Sequence, residues 1–191
     1  MCSHEQTAAP FCLAAGGEDP ATGIKFPALV DGLTFVGAGV RVKYGFVKVY
    51  AVGAYVDPAE TAALKGKSDD EICAALCDPG MQKTIRIVMN RSLSVDKYMA
   101  AINEAIHPRM NGKDLDTLDK FKAMNPPGEL KEGDEMVMTL KGNTMNYRSS
   151  SGGIGQIQSE AFVRALADVY FGKDAVSPPA KVATIKGIKA L

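Results

Sequence analysis

Arg41 and Tyr50 carry the sharpest chemical signal in the chain. They lie in residues 33–57, LTFVGAGVRVKYGFVKVYAVGAYVD, which reads as two long strands joined by a tight turn. Gly45-Phe46 has the Gly-X form of a two-residue type II′ loop. That loop pairs Tyr44 with Val47, Lys43 with Lys48, Val42 with Val49, and Arg41 with Tyr50. A guanidinium and a phenol then stand opposite each other on one side of the sheet. Their face also carries Gly37, Gly39, Val52 and Ala54, which are small, so it reads as sparse. The other face carries Val36, Val40, Val42, Val47, Val49 and Tyr55, which can fill a core. Spacing alone leaves two readings of Arg41. It meets solvent on an open sheet, with Lys43 and Lys48 beside it, or helices cover it and it needs an anionic partner, because an unpaired buried charge is too costly. No acidic residue shares its face of the hairpin. A ligand carboxylate would meet the need, with Arg41 as a bidentate fork and the Tyr50 hydroxyl as a second donor.

Other chemistries lack their residues. There is no catalytic-triad pattern, no carboxylate pair stands out for acid–base work, and both histidines are isolated. The run GGIG at 152–155 is too short for a dinucleotide fingerprint and reads as a loop. Cys73 and Cys77 share one face if DDEICAALCD is helical. A metal or redox pair would want further ligands at the right spacing, and none is near, so two small buried residues are the simpler reading. No metal and no cofactor are expected. Met81, Met89, Met99, Met136, Met138 and Met145 fall in or beside candidate core elements. Thioethers pack well there and also adapt to a flexible apolar ligand.

The elements that must position Arg41 and Tyr50 follow from periodicity and punctuation. Residues 1–22 are small, polar and Gly/Pro-bearing and read as a flexible arm, leaving 23–191 as a single domain. Residues 24–30 suit a short strand that Pro27 confines to an edge or a start, and Asp31-Gly32 is a turn. Short helices are expected over 58–66 and 69–77. Residues 81–89 alternate as a strand with one wetter face, Gln82, Thr84, Arg86 and Val88. Ser94 suits the N-cap of a helix over 95–107, and another helix is expected over 114–124. Strands over 135–141 and 144–148 flank Gly142-Asn143, and a short strand covers 154–158. Ser159 starts a helix with Phe162, Ala165, Leu166, Val169 and Tyr170 on its inner face, and Ser177-Pro178-Pro179 starts the last helix. Hairpins with helices between them give an α+β class built on an antiparallel sheet.

Basic and acidic residues number 22 each, so net charge gives no reason to expect nucleic acid or an anionic membrane surface as partner. No apolar run reaches the length of a membrane span. The first residues lack the basic region of a secretory signal and the Arg-rich character of a transit peptide. A soluble, reduced, intracellular monomer is the expectation.

Five stretches resemble the chalcone isomerase superfamily: GIKFP (23–27), GAGVR (37–41), KVYAVGAYVD (48–57), SLSVDKYMAAINEAI (92–106) and LADVYFGKDAVSPPAK (166–181). They occur in the family's order. The resemblance implies an antiparallel sheet covered on one face by a layer of helices, an open-faced β-sandwich with a ligand cleft between the layers. It also implies one of two activities. The enzymatic branch cyclises chalcones to flavanones without a cofactor, by attack of a phenolate on an enone. Arg41 and Tyr98 match its Arg and its cleft Tyr. Where its Thr, Asn and Thr or Ser are expected, this chain has Tyr50, Ala105 and Val169. Those changes make the pocket more apolar, and the pair Arg41 and Tyr50 looks like the fatty-acid-binding branch. That branch implies a long-chain fatty acid or other apolar carboxylate as ligand, with Arg41 and Tyr50 on the carboxylate and Tyr98, Ile102, Phe162, Leu166 and Val169 along the chain. A chalcone isomerase, or a non-catalytic accessory protein of the family, is the alternative. Plastid location follows from the resemblance alone.

Overall fold

The structure, a computed structural model, describes residues 16–191. The first fifteen residues of the expected arm lie outside the described residues. The remainder of that arm is built into the protein: strand β1 (Gly17–Glu18) pairs with β2 (Lys25–Phe26), and Asp19 is buried, accepting from Thr22. Pro27 splits the strand expected over 24–30 into β2 and β3 (Leu29–Val30), since it cannot donate to a ladder.

Strands β4 (Leu33–Lys43) and β5 (Val47–Val56) form the central hairpin. Helix α1 (Pro58–Thr61) tightens into a 3-10 turn, and α2 (Asp69–Cys77) starts on a reciprocal cap between Ser68 and Glu71. Then follow β6 (Lys83–Met89), β7 (Leu93–Ser94), α3 (Val95–Ile106), α4 (Asp116–Ala123) and β8 (Glu129–Leu130). Strands β9 (Glu135–Lys141), β10 (Thr144–Ser149) and β11 (Ile154–Gln158) precede α5 (Glu160–Phe171) and α6 (Pro178–Ala190). Ser94, Ser159 and Ser177 each accept from a backbone N–H three residues on, as N-caps do. One seven-stranded sheet runs β11-β10-β9-β6-β5-β4-β3, antiparallel throughout.

The hairpin differs from expectation at its turn. Tyr44, with φ 54°, and Gly45, with φ 76°, both take the left-handed conformation, and the turn spans Tyr44, Gly45 and Phe46. Lys43 therefore faces Val47, and Val42 faces Lys48. A β-bulge absorbs the extra residue at Val49, and Arg41 faces Tyr50 after all.

The packing of the two faces also departs from the sequence pattern. The Gly37–Gly39–Arg41 face is the heavily covered one. A Cβ at Gly39 would collide with the backbone of Pro179 and Ala180, and one at Gly37 with Ala183 and Thr184. The small residues exist so that the backbone of α6 can lie on the sheet. The Ser177 hydroxyl fixes that approach by donating to the Val40 carbonyl at 2.8 Å. The main core fills the space between this face and the helices, with Ile85, Ile87, Met89, Met136, Met138 and Met145 from the sheet and Met99 from α3. The bulges turn Val36 and Val49 into that core as well. Behind the sheet a smaller cluster joins Phe26, Leu33, Ala38, Ala51, Tyr55 and Val88. It leaves the supposedly wet face of β6 buried, with Thr84 hydrogen-bonded to Thr139 and Arg86 paired with Glu135.

Candidate functional site

Arg41 sits at the last regular pair of β4 before the bulge. Its Nη1 donates to the Tyr50 hydroxyl at 2.7 Å, and its guanidinium carbon lies 5.4 Å from the centre of the Tyr50 ring. Tyr50 is flanked on its other side by Met89 of β6. Helix α3 brings in Tyr98, whose ring meets that of Tyr50 edge-on, 6.2 Å between centres. The last turn of α5 adds Tyr170.

These groups form an unbalanced donor set. Arg41 is half-buried, and among the described residues no carboxylate pairs with it. Burial works against its charge, but the phenols of Tyr50, Tyr170 and Tyr98 more than offset this, so its pKa is raised and it stays a cation. Tyr98 and Tyr170 are buried, and neither hydroxyl has a hydrogen-bond partner. Burial holds both phenols well above the usual value. The charge that Tyr50 would carry pushes both the same way, and Arg41 opposes it. Both therefore remain neutral O–H donors near neutral pH. One cation and several hydroxyls converge with no anion among them.

Arg41, Tyr50 and Tyr98, with Tyr170 buried behind them, border a cleft of about 640 Å³ between the end of the hairpin and the start of α3. That is within the range of about 300–1,000 Å³ usual for small-molecule sites. Arg41, Tyr50 and Tyr98 line it, together with Val47, Val49, Leu93 and Ala101. The structure thus brings three of the sequence-predicted residues together. Ile102, Phe162, Leu166 and Val169 are elsewhere: all four are fully buried in the core between sheet and helices and do not reach the cleft wall. Sequence reasoning missed Val49, whose side the bulge decides, and Tyr170, which periodicity showed only as one more inner-face residue. Ala105 and Val169, at two positions where the enzymes' polar groups were expected, also lie off the cleft wall.

Among the described residues no three His, Cys, Asp or Glu side chains cluster as a metal site. Cys73 and Cys77 are both free, and burial raises both thiols, Cys77 to about 11, which leaves them poor nucleophiles.

Residues 23–182 match the chalcone isomerase-like family. The chain belongs to that family. A crystal structure of the Arabidopsis thaliana fatty-acid binding protein AtFAP1 matches it in fold, with a TM-score of 0.77 and 20% identity, over 92% of this chain and 98% of that one. No curated protein matches the sequence. The seven-stranded antiparallel sheet with its six helices is the chalcone isomerase-like fold. Among the described residues no helix is long and apolar enough to cross a membrane.

Proposed function

We propose that this chalcone isomerase-like protein binds a long-chain fatty acid without transforming it, with the carboxylate on Arg41 and Tyr50. One observation carries the reading: Arg41 lines a cleft that Val47, Val49, Leu93 and Ala101 also wall, with a phenol as its hydrogen-bond partner and no carboxylate paired with it among the described residues. The Tyr50 oxygen accepts from Arg41, which leaves its own proton to donate. A carboxylate there receives a charge-assisted bond from the guanidinium and a second from the phenol. The acyl chain leaves along Val47, Val49, Leu93 and Ala101. A longer chain presses toward Tyr98 and the methionines Met89 and Met99, whose flexible side chains yield more readily than branched ones. The fold likeness to a fatty-acid binding protein supports the reading, and so does the replacement of the enzymes' expected Thr by Tyr50.

Native mass spectrometry of gently purified protein, followed by lipid extraction, tests this. A bound long-chain acid is expected. An empty protein that also fails to bind added lauric to stearic acids ends the proposal. The neighbouring Arg41 and Tyr98 are what an isomerase would keep, so the same preparation is given chalcone. Loss of chalcone absorbance above the spontaneous rate, abolished by Arg41→Ala, would favour catalysis instead.

A further inference from the structure

The tip of the central hairpin exposes two aromatic rings. Tyr44 is 83% exposed and Phe46 80%. Tyr44 also occupies a left-handed backbone position, where Gly, Asn or Asp would sit with less strain. Neither ring serves the core, so stability does not explain them. The tip is continuous with the cleft, because Lys43 and Tyr44 form part of its wall. Around the same mouth stand Arg91 and Lys97, both exposed. Among the described residues none of Lys43, Arg91 and Lys97 is in an ion pair. With Arg41 they set four cations against two carboxylates, Glu104 and Glu129, on the cleft wall. The chain as a whole is neutral, so this positive mouth is a local asymmetry that composition hides.

We propose that the Tyr44–Phe46 tip and the cations beside it dock the cleft mouth on an anionic lipid bilayer. The rings would enter the headgroup region, where aromatic side chains with an apolar body and, in Tyr44, a polar tip are favoured. Lys43, Arg91 and Lys97 would lie against lipid phosphates, and such contacts add to apolar burial in holding a protein at an interface. Docking there lets an acyl chain pass between bilayer and cleft without being exposed to water. The role in transfer rests on the fatty-acid reading of the cleft, whereas the docking itself does not.

The full chain is sedimented with phosphatidylcholine vesicles and with mixed phosphatidylcholine–phosphatidylglycerol vesicles. Binding to the mixed vesicles alone is expected, falling as salt is raised. Phe46→Ser should weaken it about tenfold. Phe46 does not line the cleft, so lauric-acid binding in solution should be unchanged by Phe46→Ser. The chain has no tryptophan, so Phe46→Trp supplies a single reporter whose emission should shift to the blue on the mixed vesicles. No sedimentation with mixed vesicles, binding that Phe46→Ser leaves intact, or an unshifted reporter overturns the proposal. Vesicle binding without any fatty-acid binding would sustain the docking and remove the fatty-acid reading.

Discussion

At the scale of single residues, Arg41 is the one cation on the cleft wall that donates to a phenol, the Tyr50 hydroxyl at 2.7 Å. Arg41→Ala should weaken fatty-acid binding by about 2 kcal/mol, roughly thirtyfold in Kd, the usual size of a hydrogen bond to a charged group at a half-buried site. Arg41→Lys should recover only part of this, because an ammonium keeps the charge and loses the fork that fits a carboxylate. Tyr50→Phe should cost less, about 1 kcal/mol, since the ring still packs against Tyr98 and only the hydroxyl is lost. Displacement of a fluorescent fatty acid measures all three. Equal affinity in the Arg41→Ala variant would place the carboxylate elsewhere. The pairing of Arg41 with Tyr50 was legible in the sequence because side-chain parity along a strand is strict, and the bulge compensated for the misread turn. Tyr170 was not legible as a neighbour of Arg41. Its position near Arg41 depends on how α5 lies over the sheet, which no local period encodes.

At the scale of elements, the hydrophobic pattern gave the strands and helices but misjudged which face of the hairpin is packed. Small residues at Gly37 and Gly39 suggest emptiness when side-chain volume is counted. In the structure they mark the closest approach of two backbones, and helix α6 fills the space. The caps at Ser94 and Ser159 were readable because each precedes a periodic run, and both accept the expected bond. Of the chain-lining residues expected on α3 and α5, Tyr98 lines the cleft and the other four do not, for a related reason. An inner helical stripe reports that Ile102, Phe162, Leu166 and Val169 face inward, and does not say whether they meet ligand or protein. Gly39→Ala tests the role of the glycines. Its methyl group would meet backbone atoms of Pro179 and Ala180, which cannot swing aside as a side chain could. A loss of about 2 kcal/mol or more in unfolding free energy is expected. Gly66→Ala, which meets nothing within 4 Å and does not sit at a positive φ, is the control and should be neutral or slightly stabilising. Equal stability of the two variants would mean that α6 is not seated on β4.

At the scale of the whole molecule, the buried ionisable groups give stability a pH dependence with two opposing parts. Lys83 is only 1% exposed, and its ammonium donates to the carbonyls of Asp78 at 2.6 Å and Met81 at 2.9 Å, at the end of α2. Burial lowers its pKa from 10.5 to about 8. Between those values the unfolded chain holds a proton that the folded protein has released, so this residue's contribution to stability increases with pH. The tyrosines act in reverse. Burial raises Tyr55 and Tyr147 to about 12 and Tyr98 and Tyr170 well beyond the ordinary phenol, while Cys77 rises to about 11. Each of these keeps its proton in the fold at a pH where the unfolded chain has lost it. Their contribution is complete below the unfolded pKa and is lost as pH rises toward the folded one. Each group changes stability by at most about 1.4 kcal/mol per pH unit, and five outnumber one. Denaturant midpoints should therefore fall steeply above about pH 10, where the unfolded phenols ionise. Lys83→Met separates the two parts. It leaves the phenols in place, so the steep fall persists. It removes the amine, so the wild type should gain on the variant by about 2–3 kcal/mol between about pH 8 and 10.5. A difference between the two proteins that stays constant across that window would mean that Lys83 is not held deprotonated at its upper end in the fold.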